Sequence, residues 1–137
     1  MNNNKLILVV EDDRGNQILA VERLKRLGLR SEVVSNGQAA VDAVMQRGAE
    51  FALILMDLSM PVMDGMTATR VIRTSEASQS HIPIIAVTAN GERDTCLNAG
   101  MDDFVCKPYS NFDLQRVLGR WISIPSPESS GGISFIR

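Results

Sequence analysis

Three short apolar runs limit this chain most. They are Lys5-Leu-Ile-Leu-Val-Val10, Phe51-Ala-Leu-Ile-Leu-Met56 and Pro83-Ile-Ile-Ala-Val87. Within each run no polar residue takes alternate positions, so one side cannot face water, and each run is short for a helix. They read as strands buried on both faces, which requires a sheet covered by helices above and below. The intervening segments supply those helices. Over residues 15–27, Ile18, Val21 and Leu24 fall at helical spacing, Lys25 and Arg26 occupy the last turn, and Gly28 stops the helix. Residues 30–34 make a half-polar strand suited to an edge. Ser35-Asn-Gly-Gln38 reads as a capping box for a second helix that stops at Arg47-Gly48.

After the central run, Ser59-Met-Pro-Val-Met-Asp-Gly65 has turn chemistry, and a third helix is expected over residues 66–74. Residues 75–80 are small and polar and read as a loop. A short fourth helix over residues 91–99 closes at Gly100, and a brief fifth strand covers residues 104–106. Ser110 with Asp113 caps a fifth helix whose apolar side is Leu114, Val117, Leu118 and Trp121. From Ile122 the composition turns to Pro, Ser and Gly, the mark of a mobile tail. Strands alternating with helices give an α/β domain, a doubly wound parallel sheet over residues 1–121, with residues 122–137 as tail or linker.

In such a sheet, ligands gather beyond the carboxyl ends of the strands. Glu11-Asp-Asp13 follows the first run, Asp57 the third strand, and Lys107-Pro108 the fifth, while Thr88 ends the fourth. Each alone is common on a protein surface; their shared position is not. Two carboxylates about 4 Å apart repel by about 4 kcal/mol at an effective dielectric of 20. Lys107 supplies too little positive charge for three of them. A divalent cation with hard oxygen ligands closes the gap, so acids, one ammonium and one hydroxyl together suit phosphoryl transfer to a carboxylate.

Composition removes other classes. The net charge of −2 leaves no basic footprint for nucleic acid and no polybasic membrane anchor. No apolar run approaches a membrane span, and the start lacks a signal peptide, so a cytoplasmic domain is expected. Cys96 and Cys106 make neither a disulfide framework nor a zinc site and are expected to pack as small apolar residues. His81 reads as a solvated loop residue, and Met60, Met63 and Met66 as adaptable packing.

In this setting Ile7-Leu-Val-Val-Glu-Asp-Asp13, Met56-Asp-Leu-Ser-Met-Pro-Val-Met-Asp-Gly65, Ile84-Ile-Ala-Val-Thr-Ala-Asn90, Gly100-Met-Asp-Asp-Phe104 and Lys107-Pro108 stand in order. Over about residues 5–121 the chain resembles a response-regulator receiver domain, of the kind attached to hybrid sensor histidine kinases. The resemblance implies a flavodoxin-like sheet in the order 2-1-3-4-5. It implies that Asp57 is the phospho-acceptor, fed by a phosphohistidine on a sensor histidine kinase or a histidine-phosphotransfer protein. Glu11 and Asp12 become the acidic pair, with Asp12 and Asp13 as the pair if the alignment slips by one residue. Mg²⁺, with Mn²⁺ able to substitute, is held by Glu11, Asp12, Asp57 and the Ser59 backbone carbonyl. Lys107 pairs with the acceptor and then with the phosphoryl group, Thr88 turns toward a phosphoryl oxygen, and Phe104 follows as the switch aromatic. Phe104 stands where many members carry Tyr. Ser59 and Asn90 tune phosphoryl lifetime, and the bond to Pro108 is cis.

The domain implied is a monomeric signalling switch that catalyses its own phosphorylation and dephosphorylation rather than a separate enzyme. Its readout surface is the helix at 91–99, the fifth strand and the helix after Ser110. Its donor docks near residues 16–21 and the Pro108 loop. Sixteen residues follow Trp121, which fits either a single-domain receiver or one separated from a longer chain. A Mg²⁺-dependent phosphatase acting through an aspartyl phosphate is the main rival, although it wants its nucleophile on the first strand. A flavin or nucleotide module wants a glycine-rich phosphate loop where Glu11-Asp-Asp13 stands, and a binding module without phosphorylation leaves the acids, Thr88 and Lys107 unexplained.

Overall fold

A computed structural model of the protein describes residues 5–58, 65–76, 81–89 and 97–125. The apolar runs form one sheet of five parallel strands: β1 (Leu6–Val10), β2 (Ser31–Val34), β3 (Phe51–Asp57), β4 (Ile84–Thr88) and β5 (Asp103–Cys106), ordered β2-β1-β3-β4-β5. Among the described residues the longer helices are α1 (Arg14–Arg26), α2 (Gly37–Arg47), α3 (Gly65–Glu76) and α4 (Asn111–Leu118), with a 3-10 turn at Gly48–Glu50 that the sequence pattern did not announce.

Alternation along the strands splits the core in two. Leu8, Val10, Ile54, Met56, Ile84 and Ala86 join Ala40 and Val41 of α2 and Ala68 and Ile72 of α3. Ile7, Val9, Leu53, Leu55, Ile85 and Val87 join Ala20 and Leu24 of α1 and Leu114, Val117 and Leu118 of α4. Both faces of β1, β3 and β4 are therefore covered, which is why their runs carry no polar position. β2, half-buried throughout, is an edge.

Several local expectations are corrected. The cap of α2 is Asn36, not Ser35. In extended backbone the Asn36 side chain accepts from the Ala39 N–H, while Gln38 turns away to Asp42. α3 continues through Ser75 to Glu76, and the Ser75 hydroxyl donates back to the Val71 and Ile72 carbonyls. Trp121 is not on the buried side of α4; it lies past the helix, exposed. Cys106 is exposed on edge strand β5 rather than packed. His81 is the exposed loop residue that was expected, and it also bonds Asp102 at 2.7 Å. Packing does not stop at Trp121 either, since Ile122 and Ile124 lie against the second core. The expectations for Cys96, Met60, Met63, residues 126–137 and most of residues 91–99 lie outside the described residues.

Candidate functional site

Strand register brings the chemistry together. Val10 lies beside Met56, Asp57 beside Val87, and Thr88 beside Cys106. Parallel strands in this register end nearly level, so Glu11, Asp57, Thr88 and Lys107 emerge on one rim of the sheet. Two backbone bonds across the rim hold it: Leu58 N–H to the Val87 carbonyl at 3.2 Å and Lys107 N–H to the Thr88 carbonyl at 2.8 Å.

At the centre, Asp57 is 2% exposed, Glu11 6% and Thr88 4%. Lys107 Nζ reaches Asp57 Oδ1 at 3.3 Å and Glu11 Oε1 at 3.9 Å. Carboxylate oxygens of Glu11, Asp12 and Asp57 all lie within 4.8 Å of one another, with Asp12 exposed. Burial pushes the Glu11 carboxyl up to about 7, and the neighbouring Asp57 adds to the rise. The Asp13 N–H on Glu11 Oε2, at 3.1 Å, and the Lys107 ammonium offset it in part. One ammonium among three acids leaves a deficit of positive charge. Hard oxygen donors clustered this closely, two of them buried, fit a small divalent cation.

The loop after β1 settles which acids cluster. Asp13 turns away to cap α1, its carboxylate accepting from the Asn16 N–H at 2.9 Å. That leaves Glu11 and Asp12 clustered with Asp57. Gln17, in the first turn of α1, donates from Nε2 to the Glu11 carbonyl at 2.7 Å. Gly65 starts α3 against the acceptor: a Cβ there would stand 2.7 Å from the Asp57 carbonyl oxygen, so only glycine permits this approach. The signal was present in Met-Asp-Gly65, although its reason lies in contacts with Asp57 and Met56.

Beside the acids a cleft of about 350 Å³ is lined by Glu11, Asn16, Leu19, Arg23, Lys107 and Tyr109, among others. Arg23 lies over the Tyr109 ring at 5.0 Å. No short-range signal in the sequence pairs those two residues. The Lys107–Pro108 bond is cis. Phe104, half-buried on β5, packs against the first core. Ser59 and Asn90 lie outside the described residues.

Comparisons with known proteins agree with this geometry. Hybrid signal transduction protein dokA of Dictyostelium discoideum is 41% identical over 118 residues, which cover 86% of this chain but 7% of dokA. The chain thus spans a small part of that relative. The crystal structure of the receiver domain of sensor histidine kinase PA1611 from Pseudomonas aeruginosa, with magnesium coordinated in its active site cleft, superposes with a TM-score of 0.76 at 40% identity, covering 86% of this chain and 97% of that one. The receiver domain of the Saccharomyces cerevisiae response regulator Ssk1, crystallised with the histidine phosphotransfer signaling protein Ypd1, gives 0.77 at 29% identity, covering 86% and 89%. The profile of the response regulator receiver domain matches residues 7–118. Clustered acids, a lysine and a hydroxyl on one rim of a 2-1-3-4-5 sheet, together with that match, make this chain a member of the response regulator receiver domain family, the signalling receivers of two-component phosphorelays.

Proposed function

We propose that Asp57 accepts a phosphoryl group from a phosphohistidine on a sensor histidine kinase or a histidine-phosphotransfer protein, and that the resulting acyl phosphate switches the domain. The observation that carries this is the Asp57 carboxylate itself. It is nearly fully buried at a strand end, yet beside Lys107 Nζ at 3.3 Å and within 4.8 Å of two further acids. A merely structural carboxylate gains nothing from like-charged neighbours, whereas a nucleophile for a phosphoryl group needs the cations they attract.

In the transfer an Asp57 oxygen forms the new bond to phosphorus as the phosphorus–nitrogen bond breaks. The imidazole leaves with that electron pair and takes up a proton. Lys107 pairs with the carboxylate beforehand and stays within reach of a phosphoryl oxygen afterwards. Thr88, at the end of the adjacent strand, offers its hydroxyl to another. Attack of water on phosphorus then returns the carboxylate, so both half-reactions use the domain's own residues. Glu11, Asp12 and Asp57, with the Ser59 carbonyl, would hold Mg²⁺ or Mn²⁺. When bound, that cation supplies neutralisation of the carboxylates and of phosphoryl charge.

The phosphoryl group adds negative charge, and contacts made only in the phosphorylated state bias a pre-existing equilibrium. Phe104 is the side chain through which the bias leaves the site, and Ser59 and Asn90 set how long it lasts. Under this reading the domain works in the cytoplasm as a monomer. The magnesium-bearing cleft of the Pseudomonas receiver and the yeast receiver's phosphotransfer partner support it.

Incubation with a small acyl phosphate and Mg²⁺, followed by intact mass, tests it. One phosphoryl addition is expected, lost with chelator and lost in Asp57→Ala. Retention of the adduct in Asp57→Ala rejects the acceptor.

A further inference from the structure

The geometry points to Asp103 as the positioning residue that ties the Phe104 switch to the end of α4, with Trp121 as the reporter of that tie. The inference deepens the phosphorelay reading and rests on it for what moves Phe104.

Asp103 opens β5 with its side chain 13% exposed. Its Oδ1 accepts the Phe104 N–H at 2.9 Å. Its Oδ2 accepts Arg120 Nη1 at 2.7 Å and the Trp121 indole N–H at 3.0 Å. One carboxylate thus holds the backbone of Phe104 and both Arg120 and Trp121, just past the Gly119 that caps α4.

Strand alternation gives the arrangement its effect. Phe104 packs on the core shared with α2 and α3, whereas its neighbour Val105 packs on the core shared with α1 and α4. Asp103, on the α4 side with Val105, therefore converts a shift of Phe104 on one face into a pull on the other. Among the described residues β5 is the sheet's edge and pairs with β4 alone, so few backbone bonds resist that shift. Hydrogen bonds fail within a few tenths of an ångström beyond about 3.2 Å. A movement of Phe104 on the order of 1 Å must then either release its N–H from the carboxylate or displace Arg120 and Trp121. The chain beyond is held as well. Trp121 and Ile122 donate to the Leu118 carbonyl at 2.9 and 3.0 Å, and Ile122 and Ile124 reach the second core. What leaves the domain at its C-terminal side leaves from a segment coupled to the switch.

The sole tryptophan reads this out directly. Intact mass and tryptophan emission are recorded on the same sample with a small acyl phosphate and Mg²⁺. The parent is expected to gain one phosphoryl group and shift its emission. Asp103→Asn keeps the size of the side chain but sets an amide against two donors. It is expected to gain the same mass with a smaller emission change, the coupling between phosphorylation and the Trp121 environment weakened about fivefold, the factor that one net hydrogen bond of about 1 kcal/mol represents. An unchanged response in Asp103→Asn, or a phosphorylated parent whose emission stays still, overturns the inference. Absence of mass addition in the parent instead rejects the phosphorelay reading.

A second measurement needs no phosphoryl group. Amide exchange at Phe104 is expected to run about fivefold faster in a Trp121→Phe, Arg120→Gln double variant, by the same one-bond estimate. An unaltered rate removes the proposed tie whether or not Asp57 is phosphorylated.

Discussion

Lowering pH from 8 to 6 should weaken Mg²⁺ binding about tenfold as the Glu11 carboxyl takes up a proton. Burial beside Asp57 holds the Glu11 carboxyl up to about 7. Its ionised fraction then falls from about ten-elevenths at pH 8 to about one-eleventh at pH 6. Since the cation binds the ionised form, apparent affinity follows that fraction, about 1.4 kcal/mol in all. The same carboxyl gives the metal-free protein a definite pH response. Its folded value lies above the ordinary 4.5, so the folded state binds the extra proton between the two values. The associated stability is fully present below about 4.5 and is lost as pH rises through about 7. The gap corresponds to about 3 kcal/mol at most. Calorimetric titration at both pH values, in buffers of different ionisation enthalpy, should show close to one proton released per ion at pH 6. Glu11→Gln should flatten the pH dependence and raise metal-free stability at pH 8. Equal affinities at pH 6 and pH 8, with no proton release, would refute the reasoning.

Two further outcomes follow from other contacts. Gln17→Leu removes the donor to the Glu11 carbonyl while keeping a similar side-chain volume. Mg²⁺ affinity should drop about fivefold, the worth of one net hydrogen bond, with little change in metal-free unfolding; an unaltered dissociation constant would separate Gln17 from the acidic loop. Asp102 receives Arg73 Nη2 at 2.7 Å, His81 at 2.7 Å and the Ile84 N–H at 2.8 Å, with its side chain 13% exposed. Asp102→Asn should therefore cost about 3 kcal/mol in urea unfolding, since it removes the charge paired with a mostly buried Arg73 guanidinium and leaves it only neutral acceptors such as the Gly100 and Ile82 carbonyls, and a loss below about 1 kcal/mol, the scale of an exposed pair, would show that the network contributes little.

Much of this protein was written in local pattern. The unbroken runs that became β1, β3 and β4, the Ser110–Asp113 cap and the stop at Gly28 each depend on neighbours a few residues away, so a linear reading recovers them. The positions of Asp57, Thr88 and Lys107 were legible for a related reason: a strand's carboxyl end can be read wherever its apolar run stops. The order of the strands was legible only through the family resemblance, because periodicity says nothing about which run lies beside which. Local reading failed where two signals competed. Ser35 and Asn36 both can cap a helix, and backbone geometry chose Asn36. Trp121 continued the apolar spacing of α4, but the helix ended first.

The rest depended on contacts across long stretches of chain. Lys107 reaches Asp57 fifty residues away in sequence, and that pairing exists only because β3, β4 and β5 lie side by side in a fixed register. Asp13 could be told from Glu11 and Asp12 only once it capped α1. The raised Glu11 carboxyl is a product of burial among groups from other strands, and the Asp103 carboxylate gains its three donors only where the end of α4 returns to β5. Sequence alone determined which segments would be buried and which end of each strand would carry chemistry, because burial follows side-chain apolarity. Tertiary structure decided which charges meet, because electrostatic and hydrogen-bonding partners are chosen by distance in space.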